Sequence, residues 1–494
     1  MNERENGYLT MALYERSFGA EASGDFVLPD YQNEIRRILH VSQTVLPPAK
    51  YVGDESVEFN GTVDYQVTYI GADGGIYSIP LSSDYSFSVS FDVGNNKDVI
   101  EDISVLCNVI AESVNTRVSA PRRLSIRSRL RPNVRIYAKV APNARIDADV
   151  SPMDVYRKYE NVSCVSCEGG VSDVITVSCS VPNDAEDTRV VFAEAKVDVT
   201  DVEKLQSGVD CRGNVIVRML CVGEESGEYK TLTAKSAFEG NVDLEGGAGG
   251  DVRVCGMTSE MAVNMTETGI ECSVGILLQA VACRNDNVEY ASDVYSVRNE
   301  CECIMRSVNS RNMRLCRSSN FTVSERIPLS DTSIPEGAEI LYGMGNANMD
   351  KCELVGGKYV FSGNAVFTSI YKKENDIYSA DVSVPVKYET EADAADMPAC
   401  FDCSAQVMDI SMKLADGNLS IDAEIGLSAD CFAETNVSVV DKVIFGDALP
   451  DRETEIVVCY PASDDTAWSV AKRYKVAPTK VLGNPTTDKY VMIE

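Results

Sequence analysis

Apolar and polar side chains alternate with a two-residue period through most of this chain, a period that belongs to half-buried strands and not to helices. The clearest runs are GTVDYQVTYI from Gly61, GNVIVRMLCV from Gly213 and GNAVFTSIYK from Gly363, all rich in β-branched or aromatic residues. A polar, turn-prone stretch follows each (GADGGIYS, GEESGEYK, KKENDIYS), and then a second extended segment. That order predicts a hairpin whose loop is longer than two residues. Further alternating runs, such as Val105 to Val114, Cys272 to Ala282 and Leu419 to Ala429, add strands to each unit.

The three runs belong to a repeat. Ile35 to Tyr69 lies over Asp187 to Cys221 and over Gly337 to Tyr371 without a gap. Ile38 and Leu39 fall on Val190 and Val191 and on Ile340 and Leu341; Val45 falls on Val197 and Ala347; Gly61 falls on Gly213 and Gly363. The loop tyrosines Tyr77, Tyr229 and Tyr378 also correspond. The chain is therefore expected to be mainly β. An N-terminal extension over 1–24 precedes three tandem all-β domains over 25–150, 151–310 and 311–447.

The period changes only at the end. Trp468, Val470, Ala471 and Tyr474 share one helix face, and Asp464 and Asp465 stand where a helix N-terminus favours negative charge. A second helix is expected over about Pro478 to Leu482, stopped by Gly483, Asn484 and Pro485. Strand-like runs flank this material, so residues 453–494 read as a separate βααβ module.

Composition narrows the function. One His (His40) and one Trp (Trp468) occur among 494 residues. Histidine-dependent catalytic arrangements or a His-ligated metal would have only His40, which sits in an apolar stretch and reads as a packing or surface residue. A net charge of −31 argues against general binding to nucleic acid or anionic lipid. No apolar run is long enough to span a bilayer and the N-terminus lacks a signal-peptide pattern, so a cytoplasmic protein without membrane insertion is expected. The Gly-rich stretches lack the Lys-Ser/Thr of a phosphate loop. Repeats with no recurring catalytic residue types point to a non-enzymatic binding scaffold without cofactor. A hydrolase would need a carboxylate pair that the pattern does not single out.

Three features are candidates for contacts. The terminal module offers an edge formed by Asp464, Asp465, Thr466, Lys472, Arg473, Asn484 and Pro485; Trp468 belongs to the same site or to the module's core. Seven arginines between Arg117 and Arg135, with no acidic residue among them, form a basic stretch. Within it Arg127, Arg129 and Arg131 would share one strand face and meet acidic surface on this chain or a partner. The pairs Cys164 and Cys167, Cys301 and Cys303, and Cys400 and Cys403 read as reduced thiols, with a zinc site as the alternative and oxidative cross-linking as a third use.

Two resemblances draw on these motifs. Asp465 to Ala471, Lys472-Arg473-Tyr474, Asn484-Pro485 and the strand Tyr490 to Ile493 resemble a LysM domain. Asp464 and Ala467 replace that family's Gly and Leu, near the loop that touches glycan in its carbohydrate-binding members. Pro29-Asp30-Tyr31, Ile35-Arg36-Arg37-Ile38-Leu39, Val41, Pro47-Pro48 and Gly61-Thr62-Val63 through Tyr69 resemble the SPOCS domain of endospore-forming bacteria; the later repeats keep the glycine and strand but not the Pro-Asp opening. The combination is similar to a clostridial family of spore-coat morphogenetic proteins. That resemblance implies location in the mother-cell cytoplasm at the forespore surface. It also implies a LysM domain that binds the stage IV sporulation protein A coat ATPase, and repeats that meet other coat proteins. Peptidoglycan binding through LysM is the alternative.

Overall fold

The computed structural model describes residues 8–149, 155–182, 188–223, 225–266, 269–392, 398–450 and 456–494. Among the described residues strands hold 77% and helices 4%, in antiparallel sheets throughout. The first unit contains β1 (Leu9–Ser17), β2 (Ala20–Val27), β3 (Ile35–Val45), β4 (Ala49–Val52), β5 (Ser56–Gly71), β6 (Ile76–Ser90), β7 (Ile100–Ala120) and β8 (Arg123–Val140). β3, β4 and β6 pair with β5; β1, β2 and β7 pair with β8. The two sheets face each other over a core of Val63, Val67, Tyr69, Leu124, Ile126 and Leu130. The N-terminal residues read as an extension are therefore β1 and β2 of this sandwich; residues 1–7 lie outside the described ones.

A short helix, α1 (Ala144–Asp149), leads to the second unit: β9 (Val155–Val171), β10 (Ile175–Pro182), β11 (Thr188–Lys204), β12 (Gly208–Gly223), β13 (Tyr229–Asp243), β14 (Asp251–Thr266) and β15 (Gly269–Ser296). The third has β16 (Asn299–Pro328), β17 (Glu339–Val355), β18 (Lys358–Lys373), β19 (Asp376–Glu391), β20 (Cys400–Ala415) and β21 (Asn418–Ala448). Pairing repeats throughout. β11-β12-β13 and β17-β18-β19 are meanders like that around β5, while β15 and β21 take the place of β8. The long β16 does alone what β1 and β2 do together, pairing first with the far half of the last strand and then with its near half. Because β16 runs unbroken through residue 310, the boundary expected there falls instead at the bend Val297–Arg298. The boundary expected at 150/151 lies outside the described residues.

Gly213 and Gly363 stand opposite β-bulges in β11 and β17. A Cβ at Gly213 would strike the Asp198 carbonyl, and one at Gly363 the Asn348 carbonyl; at Gly61 it would strike the Tyr85 ring. The recurring glycine thus marks a close approach that only a missing side chain permits.

The three sandwiches close into a ring. Leu39, Ile70 and Ile76 of the first, Val191, Phe192 and Leu220 of the second, and Tyr342, Met344 and Ile370 of the third share one apolar cluster. Around it the repeats grip one another at corresponding places. Arg37 stacks on Tyr378, 4.5 Å from the ring centre, and donates to the Ile377 carbonyl. Its counterpart Arg189 stacks on Tyr77 at 5.0 Å and donates to the Ile76 carbonyl at 3.3 Å. On the third side Glu339 replaces the arginine, and Thr231 Oγ1 donates to the Leu341 carbonyl at 3.2 Å. β1 also pairs with β16 at Met11 and Ser310, so one seven-stranded sheet spans the first and third sandwiches.

The terminal module has β22 (Val457–Cys459), α2 (Ala467–Tyr474), one 3-10 turn at Pro478–Lys480, β23 (Val481–Leu482) and β24 (Val491–Ile493). Its expected second helix is only that turn, because Val481 and Leu482 pair with Ile493 and Met492. Residues 453–455, where the module was expected to begin, lie outside the described ones. Among the described residues no helix is long and apolar enough to cross a membrane.

Candidate partner-binding surfaces

The terminal module is built on a capped helix. Thr466 Oγ1 accepts the Ser469 N–H and Ser469 Oγ accepts the Thr466 N–H, a reciprocal cap that fixes where α2 starts. Asp465 lies beneath it. Its carboxylate accepts from the Ala462 N–H at 2.9 Å, Ser469 Oγ at 3.0 Å and Arg473 Nη2 at 2.6 Å. The Ala462 amide and the Arg473 guanidinium hold that carboxyl below its ordinary range. Asp465, expected on the exposed edge, is only 4% exposed, because it is the internal acceptor that ties loop to helix. Pro485 is buried as well, whereas Asp464, Thr466, Arg473 and Asn484 are exposed.

Trp468 and Lys472 face the second sandwich. Trp468 Nε1 donates to Asp293 Oδ2 at 2.8 Å and Lys472 Nζ to Asp293 Oδ1 at 2.5 Å. The Trp468 ring meets Tyr295 edge-on at 4.9 Å, and Tyr295 OH donates to the Val476 carbonyl at 2.7 Å. The side chains singled out on this helix are thus engaged within the chain. Asp293 and Tyr295, which complete the junction, had no signal beyond belonging to an alternating strand.

The opposite face of the module is open and apolar. Register places Val458 beside Met492 and Met492 beside Leu482. Ile456, Tyr460 and Tyr490 flank these strands, each one residue beyond a strand end. All six are between 39% and 70% exposed, and the Tyr460 and Tyr490 rings pack edge-to-face at 6.4 Å. The sequence marked these segments only as short apolar strand-like runs, and the placement of α2 decides which of their sides is covered.

The arginine stretch is paired mainly within the chain. Arg127 meets Glu21 at 2.9 Å, Arg129 meets Glu112 at 3.1 Å, and Arg131 meets Glu112 at 3.6 Å and Asn348 Oδ1 at 3.3 Å. Arg122 donates to the carbonyls of Pro29 and Gln32 at 2.6 and 2.9 Å. Arg135 is buried where the sandwiches meet, in an alternating chain of charge: its Nη2 lies 3.2 Å from Asp402 Oδ2, Arg253 Nη2 lies 3.2 Å from the same oxygen, and Arg253 Nε donates to Asp430 Oδ2 at 2.7 Å. Burial alone would raise the Asp402 pKa, but the two guanidiniums and the amides of Asn108 and Asn133 take it below its ordinary range.

The cysteine pairs stay separate. Cys164 and Cys403 are buried in different clusters, and Cys303 Sγ lies 3.2 Å from the Val294 carbonyl. All seventeen thiols are free; burial pushes Cys107 and Cys400 up to about 12. Among the described residues no three His, Cys, Asp or Glu side chains converge as metal ligands. His40 sits in β3, where burial lowers its pKa against the charges of Asp381 and Glu194 from the other two repeats, with Lys196 adding to the lowering. Comparison with protein families, with curated proteins and with solved structures found no match to this chain.

Proposed function

We propose that this chain is a non-enzymatic adaptor of the SipL type in endospore-coat assembly. It would act in the mother-cell cytoplasm, with its LysM-like module binding a coat ATPase of the stage IV sporulation protein A kind and its SPOCS-like repeats meeting other coat proteins. The observation that supports this reading is the open apolar face of Ile456, Val458, Tyr460, Leu482, Tyr490 and Met492. Six large exposed apolar side chains on and at the ends of one small sheet are a concentration that isolated surface residues do not explain, and such faces mark protein contacts. The module is held to the second sandwich through its helix, so this face points away from the body of the chain.

The test uses the full chain, immobilised and offered purified ATPase or insoluble peptidoglycan, beside a variant carrying Val458→Asp and Met492→Lys. Retention of the ATPase, lowered at least about tenfold in the variant, is the expected outcome; tenfold corresponds to about 1.4 kcal/mol, within the range of a central apolar contact. Retention on peptidoglycan alone would overturn the adaptor reading in favour of glycan binding.

A further inference from the structure

The three sandwiches leave a cavity of about 150 Å3 at the point where their charged chain meets. Its polar walls come from all three: Lys50, Asn108 and Arg135 from the first, Arg253 from the second, Asp402 and Asp430 from the third. Arg135 is 5% exposed and Asp430 is 1% exposed. Neither is satisfied by the protein. Arg135 Nη1 and Nη2 have no hydrogen-bond acceptor, the 3.2 Å approach to Asp402 lacking the geometry of a hydrogen bond, and Asp430 Oδ1 has no donor. Leaving a buried charged group with open hydrogen-bonding positions is costly, so the space beside it should hold something polar.

The charges limit what that is. Two guanidiniums and two carboxylates alternate in a chain that is itself neutral, with donors open at one end and an acceptor at the other; the Lys50 ammonium, which donates to the Val105 carbonyl at 3.0 Å, adds one positive charge to the wall. An added anion would satisfy Arg135 but would stand beside Asp402 and Asp430; an added cation would meet the reverse problem. A molecule carrying both signs avoids both penalties. Volume is sufficient, because one water needs only about 10–15 Å3 in the same measure. We propose that this junction binds a small zwitterion of the α-amino acid class, its carboxylate on Arg135 and its ammonium on Asp430, and that the bound molecule fastens the three sandwiches together.

A ligand of the folded state raises the unfolding temperature by mass action, and the rise saturates once the site fills. The probe is glycine, added to the full chain at up to about 10 mM, with acetate, methylammonium and N-trimethylglycine as controls; the last keeps both charges but has no N–H to donate. Glycine is expected to raise the melting temperature saturably by at least about 1 °C, with a binding isotherm in calorimetry and no response to the controls. Asp430→Asn should abolish both signals. Should that variant not fold, Gln279→Phe fills the cavity from its wall while leaving the four charged residues in place, and should do the same. No glycine isotherm, or equal shifts with glycine and N-trimethylglycine, would show that the cavity holds water only and overturn the proposal.

Discussion

His40 carries a consequence that no other side chain can blur, because it is the chain's one imidazole. Burial, helped by the Lys196 ammonium, favours its neutral form more than the charges of Asp381 and Glu194 favour the charged one, so its pKa is lowered. The unfolded chain, with an ordinary value near about 6.5, then takes up a proton that the folded chain refuses. Stability is therefore full above about pH 6.5 and falls as pH drops from there toward the folded pKa. Denaturant titrations between about pH 7 and 5 should show this slope, and His40→Gln should flatten it; an unchanged slope would assign it elsewhere. That His40 would serve packing or the surface and not catalysis was the reading its apolar neighbours offered. Its location was not legible there, because Asp381 and Glu194 come from other repeats. Trp468 and Lys472 teach the same lesson: their residue types marked a contact helix, but Asp293 and Tyr295, which they meet, lie far away in sequence.

At the scale of elements, alternation located strands well and told less about their ends. β16 was split at residue 310 because repeat spacing carries no information on whether a strand continues across a domain boundary. A second helix over Pro478 to Leu482 failed because β-branched Val481 can pair with Ile493, and one turn is too short to resist that competition. The recurring glycine was legible as a repeat marker, and its physical reason is testable. At Gly363 an added methyl would meet the Asn348 carbonyl, which is fixed in a bulged strand, whereas at Gly61 it would meet the ring of Tyr85. Gly363→Ala should therefore cost about 1–3 kcal/mol, and Gly61→Ala less, because a side chain yields more readily than backbone. Midpoints of chemical denaturation compare the two directly.

For the whole molecule, the question is whether three related sandwiches behave as beads or as one body. The Arg37 and Arg189 stacks and the shared apolar cluster tie each repeat to its neighbours, but the strongest coupling should come from the buried charge chain, whose members belong to three different sandwiches. Asp402 supports both Arg135 and Arg253. Removing it leaves two buried guanidiniums short of a partner, a kind of loss that costs about 3–5 kcal/mol, while replacing a whole buried ionic set with apolar residues of similar volume is often neutral. Asp402→Ala should thus destabilise the full chain severely and separate its unfolding into more than one transition. A variant with Arg135→Met, Arg253→Met, Asp402→Leu and Asp430→Leu should recover much of the loss and restore one transition. If instead Asp402→Ala melts only the third sandwich and leaves the other two at their original midpoint, the repeats are beads. The contacts around the ring would then be too weak to make them one body, and the central charge chain would be a local feature of one interface.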